Sequence, residues 1–416
     1  MNEPRRTNPR RTALSARTRW AVPVVAAVAV GLAFAAPPLF ASADDAGLPS
    51  ISPEELAAQV AAAEPSALSG TVVYTARLGL PELPLGAVSG ADPINLLGGS
   101  STLRVWSDGE QRSRVALLGP TSEFSVVQDG PEAWTYSSRD DAVVHYALSA
   151  ADAARFDELA AKAEAGELPV QGDLPTPQEA GRQAVGLAEE SSTVTLDAQT
   201  EVAGRAAYQL VVTPRSDTTL VARIVVAVDA ETSTPLRVQV WGTSDNRTPA
   251  LELGFTDVSF ATPADSVLAF SAPAGASTRD VVVPLPDPPA EAATPSTELP
   301  EGVTVSGTGW DTVVQASGLD VAALVAGDPA AAGLPGVEKS FGSKGAEELY
   351  SEFAPEEGSG SPLGDLDTTA LYDTLTTPVP EGRLLSSELL SVLVTDDGRV
   401  LVGAVPGATL QAMAAR

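Results

Sequence analysis

Residues that could perform catalysis or bind metal are scarce in this chain. It has one histidine, His145, and no cysteine. The absence of cysteine excludes disulfides, thiolate catalysis, cysteine metal ligands and a lipid-modified cysteine. A Ser-His-Asp arrangement stays formally possible, but no G-x-S-x-G nucleophile motif occurs. His145 shares a predicted strand face with Val143 and Ala147, which favours a packed or rim histidine over a catalytic one.

Other chemical motifs are also missing or incomplete. There is no Walker A loop, dinucleotide-binding fingerprint or H-E-x-x-H sequence. Paired acids occur in "DLDTT" and "TDDGR", but neither completes an EF-hand loop, and both are typical of turns. With 54 Asp and Glu residues, a carboxylate pair suited to glycoside hydrolysis stays open, although chance explains such pairs equally well. We therefore expect no metal, no cofactor and no enzymatic activity.

Charge and composition restrict the partners. The formal net charge is -29, and such an acidic surface repels nucleic acid and disfavours anionic bilayers. The 416 residues allow two domains or one large β domain with additions, and the 35 glycines and 34 prolines suit a loop-rich β protein. We expect a monomer that binds no nucleic acid.

The N-terminal residues predict export. Residues 1–20 contain six arginines, an apolar run follows from Ala21 to Ala36, and Ala41-Ser42-Ala43 fits a cleavage site. We predict a signal peptide over residues 1–43 and a location outside the cytoplasmic membrane, in the cell envelope. An uncleaved membrane anchor is the alternative, if the apolar run continues to Ala43.

Hydrophobic alternation dominates the next part of the chain. Patterns such as Tyr208, Leu210 and Val212 recur at a spacing of two, and turn sequences such as "SDGE", "QDGP" and "SRDD" separate the runs. They predict an antiparallel meander that includes residues 266–273 as a late strand. The helices predicted to cover its apolar face span residues 52–63, 150–165 and 176–190.

The C-terminal part is less regular. Seven prolines between residues 272 and 300 predict an extended linker. Beyond it, the clearest pattern is a hairpin of two apolar strands around Asp396-Asp397-Gly398, within residues 383–404. The predicted division is a signal peptide over 1–43, a β-rich domain over 44–275, a linker over 276–300 and a C-terminal extension over 301–416.

Three stretches of the β-rich domain have distinctive motifs. "DGPEAWTY" (129–136) fits D-G-x-x-x-W-x-Y, residues 202–241 contain V-x-G-x-x-x-Y-x-L-x-x-x-P, and residues 251–276 end in F-x-x-P-x-G. With the N-terminal helix, they resemble the LolA/LolB/LppX-like superfamily of lipoprotein and lipid carriers, which also includes RseB-type sensors. The chain is most similar to exported actinobacterial members, which share the arginine-rich signal.

This resemblance implies an α+β fold that is mostly antiparallel β. The expected architecture is an incomplete curved barrel of about eleven strands closed by helices, with a C-terminal extension. In that superfamily the concave face binds acyl chains of lipids or lipoproteins, so a noncatalytic carrier with an apolar groove is implied. The residues that we predict to line the groove are Val72, Tyr74, Leu78, Phe124, Trp134, Tyr136, Tyr208, Leu210, Ile224, Val226, Val238 and Phe255.

Two other functions stay open. An RseB-like sensor would bind a membrane-protein partner through the linker and C-terminal region, and an exposed apolar patch within 383–404 would favour it. An envelope hydrolase would need a polar cleft with convergent carboxylates. The near absence of histidine and the lack of cysteine make the hydrolase the least favoured of the three.

Overall fold

The computed structural model describes residues 47–63, 65–81, 90–164, 185–186, 188–283, 285, 302–321 and 368–416. The predicted signal peptide, most of the predicted helix at 176–190 and most of the predicted linker lie outside these ranges. No helix within them is both long enough and apolar enough to cross a membrane. The described part of the chain forms two sheets, a larger one and a smaller one.

The larger sheet has twelve strands and is curved without closing into a barrel. They are β1 (Leu68–Ala76), β2 (Gly99–Ser107), β3 (Arg112–Leu118), β4 (Glu123–Asp129), β5 (Glu132–Ser137), β6 (Ala142–Leu148), β7 (Ser192–Val202), β8 (Arg205–Pro214), β9 (Val221–Asp229), β10 (Pro235–Gly242), β11 (Leu251–Ser259) and β12 (Ser277–Val283). Their order is β12-β6-β5-β4-β3-β2-β1-β11-β10-β9-β8-β7. All neighbours are antiparallel except β12 and β6, which confirms the predicted half-barrel class.

Short helices accompany this sheet. They are α1 (Pro53–Ala62), a 3₁₀ helix (Pro93–Leu97), α2 (Ala150–Glu164) and α3 (Asp265–Leu268). Helix α1 begins as the sequence predicts, because the Ser52 hydroxyl accepts a hydrogen bond from the Glu55 amide at 3.2 Å and proline occupies the first turn. Leu56, on its apolar side, is fully buried.

Two parts of the larger sheet differ from the sequence prediction. Residues 266–273 form no strand; α3 and the loop after it occupy this region because Leu268 is fully buried against strands β2, β3 and β4. Strand β12 falls inside the predicted linker, where it pairs in parallel with β6 and buries Val281. The larger sheet therefore continues beyond residue 275, to Val283.

The smaller sheet has six strands in the order β13-β14-β18-β17-β16-β15. They are β13 (Val303–Ser306), β14 (Val313–Ser317), β15 (Thr377–Val379), β16 (Gly382–Ser386), β17 (Ser391–Thr395) and β18 (Arg399–Gly403). Helices α4 (Thr368–Leu375) and α5 (Gly407–Ala414) accompany them. The hairpin predicted around residues 396–398 is present as β17 and β18, but residues 383–404 hold three strands rather than two. Leu393, Leu401 and Leu410 form the buried core under α5.

Hydrogen bonds join the two sheets at the strand ends of the larger one. The amide of Leu220 donates to the carbonyl of Ala404 at 2.7 Å. The indole of Trp310, which precedes β14, donates to the hydroxyl of Ser192 at 2.7 Å. The smaller sheet is therefore docked near the starts of β7 and β9.

Candidate functional site: an apolar sheet face under α1

One face of the larger sheet contacts α1 and the 3₁₀ helix, and we call it the helix-side face. Residues directly paired across antiparallel strands lie on the same face. Val72 of β1 pairs with Phe255 of β11, and Tyr74 pairs with Leu253. These four side chains pack in or against one hydrophobic cluster, which also includes Leu96 of the 3₁₀ helix.

Two rows of apolar side chains cross five strands of this face. The first row is Leu253, Val238, Val226, Leu210 and Leu196. The second row is Leu251, Val240, Ile224, Val212 and Val194. Every member except Val194 is only half-buried. Four strand spacings extend about 19 Å, so these "apolar rows" form a continuous and partly accessible hydrophobic surface.

The N-terminal segment covers one end of the apolar rows. Leu56 of α1 packs against Tyr208, whose hydroxyl donates to the carbonyl of Pro49 at 2.9 Å. The side-chain amide of Gln199 exchanges two hydrogen bonds with the backbone of Leu48, at 2.9 and 2.8 Å. These contacts fix residues 48–56 over strands β7 to β9.

The other end of the helix-side face is a filled core. Val72 and Tyr74 are 1% and 2% exposed, and they pack with Leu96, Leu103 and Leu117. Burial raises the pKa of the Tyr74 hydroxyl to about 12. Because Val72 and Tyr74 are buried, the accessible apolar surface of this face lies mainly along the apolar rows.

The smaller sheet reaches the border of this face at Leu78. The amide of Glu388, in the loop between β16 and β17, donates to the carbonyl of Leu78 at 2.8 Å. The hydroxyl of Ser244 donates to the carboxylate of Glu388. Leu78 itself packs partly buried against the core around Tyr74.

The structure brings ten of the twelve predicted groove residues together. They share the helix-side face or pack against its core, and they are Val72, Tyr74, Leu78, Phe124, Tyr208, Leu210, Ile224, Val226, Val238 and Phe255. Val72, Tyr74 and Tyr208 are buried, whereas the others are half-buried. The rows also include Val212 and Val240, whose positions in the same alternation could have identified them from the sequence. Acyl binding by any of these residues stays a prediction.

Trp134 and Tyr136 lie on the opposite face, apart from the other ten. Phe124 pairs with Ser137, so the neighbouring Tyr136 points away from the helix-side face. Trp134 stacks on Phe270 from the loop after α3, with ring centroids 5.5 Å apart. A register difference of one residue moves a side chain to the other face, and sequence alternation alone did not fix this register.

His145 belongs to the same opposite-face cluster. Its ring stacks on Trp134 at 5.0 Å with an interplanar angle of 7°. Its Nδ1 lies 2.9 Å from the Asp280 carboxylate of β12, and its Nε2 lies 3.6 Å from Glu132. The histidine is packed between strands, as its sequence position indicates. Within the described ranges, no three His, Cys, Asp or Glu side chains are grouped to hold a metal.

Buried polar residues also occupy the opposite face, beneath the apolar rows. Glu252 is 6% exposed and accepts a hydrogen bond from the Gln239 amide at 3.0 Å. Burial raises the pKa of Glu252 and lowers the pKa of Arg237. The two faces of strands β10 and β11 therefore differ in polarity, and the helix-side face is the apolar one.

Comparisons with known proteins give structural matches only. No family model and no curated protein matches the chain. The MucA/MucB complex of Pseudomonas aeruginosa includes a chain matched at 18% identity and a TM-score of 0.37, over 86% of this chain and 95% of that one. A LolA superfamily protein from Nitrosomonas europaea matches at 11% identity and a TM-score of 0.21, over 53% of this chain and 99% of that one. A putative outer membrane lipoprotein-sorting protein domain from Vibrio parahaemolyticus matches at 12% identity and a TM-score of 0.20, over 51% of this chain and 94% of that one.

These three matches all have TM-scores below 0.5 and identities below 25%. At these TM-scores, no residue correspondence and no ligand follows from them.

Proposed function

We propose that this protein binds the acyl chains of lipids or lipoproteins on its helix-side face and carries them within the cell envelope. The single observation that supports the proposal most is the pair of apolar rows, which stay half-buried across five strands. Contiguous accessible apolar surface of this kind is uncommon on proteins that bind nothing there.

The energetics of acyl transfer suit such a surface. Each methylene removed from water contributes about 0.8 kcal/mol, so a chain of fourteen carbons gains roughly 10 kcal/mol before the costs of binding. No hydrogen bond or charge is required for that gain. A row of Val, Leu and Ile side chains with α1 at one end provides the necessary contact.

The charge of the chain supports release from membranes. A formal net charge of -29 disfavours attachment to anionic bilayers. A carrier must leave the membrane with its cargo, and electrostatic repulsion assists this step. The apolar rows then shield the acyl chain from water during transfer.

A fluorescent fatty acid titrated into the full chain tests this proposal. We expect saturable binding and at least tenfold weaker binding by Leu210→Asp, because burial of an acyl chain against a new carboxylate removes the charge from water. Thr213→Asp is the matched control, since Thr213 lies on the same strand but is exposed on the opposite face. Circular dichroism and thermal unfolding verify that both variants fold. Equal binding by wild type and Leu210→Asp would contradict the proposal.

A second candidate function, partner binding by an envelope sensor, is favoured by the smaller sheet. The face turned away from α5 holds a row of Val305, Val314, Val402, Val392 and Leu385. Val305 and Val314 are 46% and 42% exposed. The other three members lie within residues 383–404 and are half-buried, so the exposed part of the patch is on β13 and β14. An exposed apolar patch favours a protein partner.

Photo-crosslinking distinguishes the sensor from a carrier that acts alone. A crosslinking amino acid at position 314 is compared in the producing cell with one at position 245, an exposed site on a loop of the larger domain. The sensor function predicts one discrete adduct with a membrane protein from position 314 and none from position 245. Acyl binding with no adduct from position 314 would reject the sensor function.

A further inference from the structure

A pocket of about 380 Å³ lies on the opposite face of the larger sheet, away from the apolar rows. Strands β3, β4 and β5 form its floor, and the end of α3 with the loop after it forms one wall. Its lining is rich in hydroxyl groups and includes Arg114, Glu123, Ser125, Tyr136, Ser266 and Phe270. The proposed acyl site does not use any of these residues.

Small side chains at the centre of the floor create the space. Ala116 of β3 pairs with Ser125 of β4, and each is 1% exposed. Larger groups surround them, since Leu268 is fully buried and Phe270 stacks on Trp134. These two contacts hold the start of residues 269–273 beside the pocket.

Two buried polar atoms in this pocket lack hydrogen-bond partners among the described residues. They are the Oγ of Ser125 and the Nε of Arg114. Unpaired buried polar groups are rare in native proteins and indicate a bound water or ligand. Both residues line the same pocket, so a single small molecule there would lie against both.

The charges of the pocket select against an ion. The Arg114 guanidinium donates to the Glu123 carboxylate at 3.0 Å, so the pair is neutral as a whole. A free anion would meet the carboxylate and the strongly acidic chain, whereas a cation would meet the guanidinium. The remaining hydrogen-bonding groups are hydroxyls, which suit an uncharged ligand with several hydroxyls of its own.

We propose that this pocket binds a neutral sugar ring. The ring hydroxyls donate to the Glu123 carboxylate and accept from Arg114 Nε–H, while Ser125 either donates or accepts. The less polar face of the sugar packs on the exposed part of Phe270, an apolar aromatic ring. The volume lies within the range of about 300 to 1,000 Å³ found for small-molecule sites.

Isothermal titration of the full chain with glucose and N-acetylglucosamine tests the proposal. We expect at least one of them to bind, and Ser125→Ala to weaken it about tenfold through loss of one hydrogen bond. This change removes an unpaired hydroxyl and should preserve the fold. Ser113→Ala is the matched control, because Ser113 neighbours Arg114 on β3 but lies on the other face. Equal affinity of wild type and Ser125→Ala would overturn the proposal.

Two further titrations test whether the ligand is charged and whether the sugar is free or part of a glycolipid. Inorganic phosphate should not bind, and phosphate binding tighter than either sugar would overturn the proposal. The absence of sugar binding at millimolar concentrations would overturn it as well. The affinities of methyl glucoside and octyl glucoside are compared in the Leu210→Asp variant. Equal affinities indicate a free sugar, and tighter binding of octyl glucoside indicates the headgroup of a glycolipid. Fluorescent fatty acid binding should be unchanged in Ser125→Ala, so the sugar and acyl proposals fail independently.

Discussion

Asp229 at the end of β9 is expected to be a major determinant of the stability of the larger sheet. Its side chain is 1% exposed, and both carboxylate oxygens accept from the Arg205 guanidinium, at 2.6 and 2.8 Å. One oxygen also accepts from the amide and hydroxyl of Thr232, at 2.7 and 2.8 Å. These bonds join the β7–β8 end of the sheet to the turn before β10.

The change Asp229→Asn keeps the side-chain size but removes the charge and presents an amide N–H group to Arg205. Removing one partner of a buried ion pair costs about 3–5 kcal/mol when the other charge is left buried and unpaired. We expect the lower end of this range, because Arg205 keeps Glu231 as a partner at 2.9 Å and the amide oxygen still accepts from Thr232. For a domain of this size, 1 kcal/mol shifts Tm by about 2–4 °C, so a loss of roughly 3 kcal/mol lowers Tm by about 6–12 °C.

The effect should depend on pH. Burial alone would raise the pKa of Asp229, but hydrogen bonds from Arg205 and Thr232 hold the pKa below its ordinary value of 3.8. A carboxyl with a lowered native pKa contributes stability that is complete above pH 3.8 and is lost as pH falls through the native pKa. The Tm difference between wild type and Asp229→Asn is therefore constant near neutrality and narrows in acid.

Scanning calorimetry of the full chain between pH 7 and pH 3 measures this difference. Asp197→Asn is the matched control, because Asp197 also lies in a strand of the larger sheet but is exposed. We expect the control to shift Tm by less than about 2 °C, as is usual for an exposed position. A Tm shift below about 2 °C for Asp229→Asn, or a Tm difference that widens in acid, would show that the pair of Asp229 and Arg205 does not stabilise the larger sheet as predicted.

Three further predictions concern packing and docking. Tyr208→Phe removes the hydrogen bond to Pro49 and should destabilise the N-terminal segment by about 1 kcal/mol. Amide exchange in residues 47–62 should become faster, and unchanged exchange would contradict this prediction. Leu268→Ala should destabilise the larger sheet by about 2–5 kcal/mol in denaturant unfolding, because this fully buried side chain holds α3 against the sheet; a loss below 1 kcal/mol would be inconsistent. Trp310→Phe removes the hydrogen bond to Ser192 and should speed the proteolytic cleavage that separates the two sheets. A cleavage rate equal to that of the wild type would argue against a role of Trp310 in docking the sheets.

The fold class could be predicted because the β-rich part alternates regularly. Apolar residues at a spacing of two fix which residues of one strand share a face, and runs such as Tyr208, Leu210 and Val212 survive intact in β8. Helix α1 was equally predictable, because Ser52 and Pro53 specify its start. These are local signals that need no partner strand.

The errors arise where partners decide the structure. The faces of Trp134 and Tyr136 depend on the register of β5 against β4, which no residue of β5 specifies alone. Strand β12 lies in a proline-rich part of the chain and forms by pairing with β6, far away in sequence. Residues 266–273 alternate like a strand, but burial of Leu268 stabilises a helical turn instead. The pocket beside Ser125 could not be predicted from the sequence either. One of its walls is α3, in a region that the sequence predicts as a strand.

Native mass spectrometry of the protein purified from its own host tests directly whether the helix-side face binds acyl chains. We expect lipid or lipoprotein acyl species bound to the full chain, and their loss in Ile224→Asp, which places a carboxylate in the second apolar row. Extraction of the bound species must leave a wild-type protein with the mass of the chain alone. A folded wild-type protein free of acyl species, or an Ile224→Asp variant that retains them fully, would contradict acyl binding on the helix-side face.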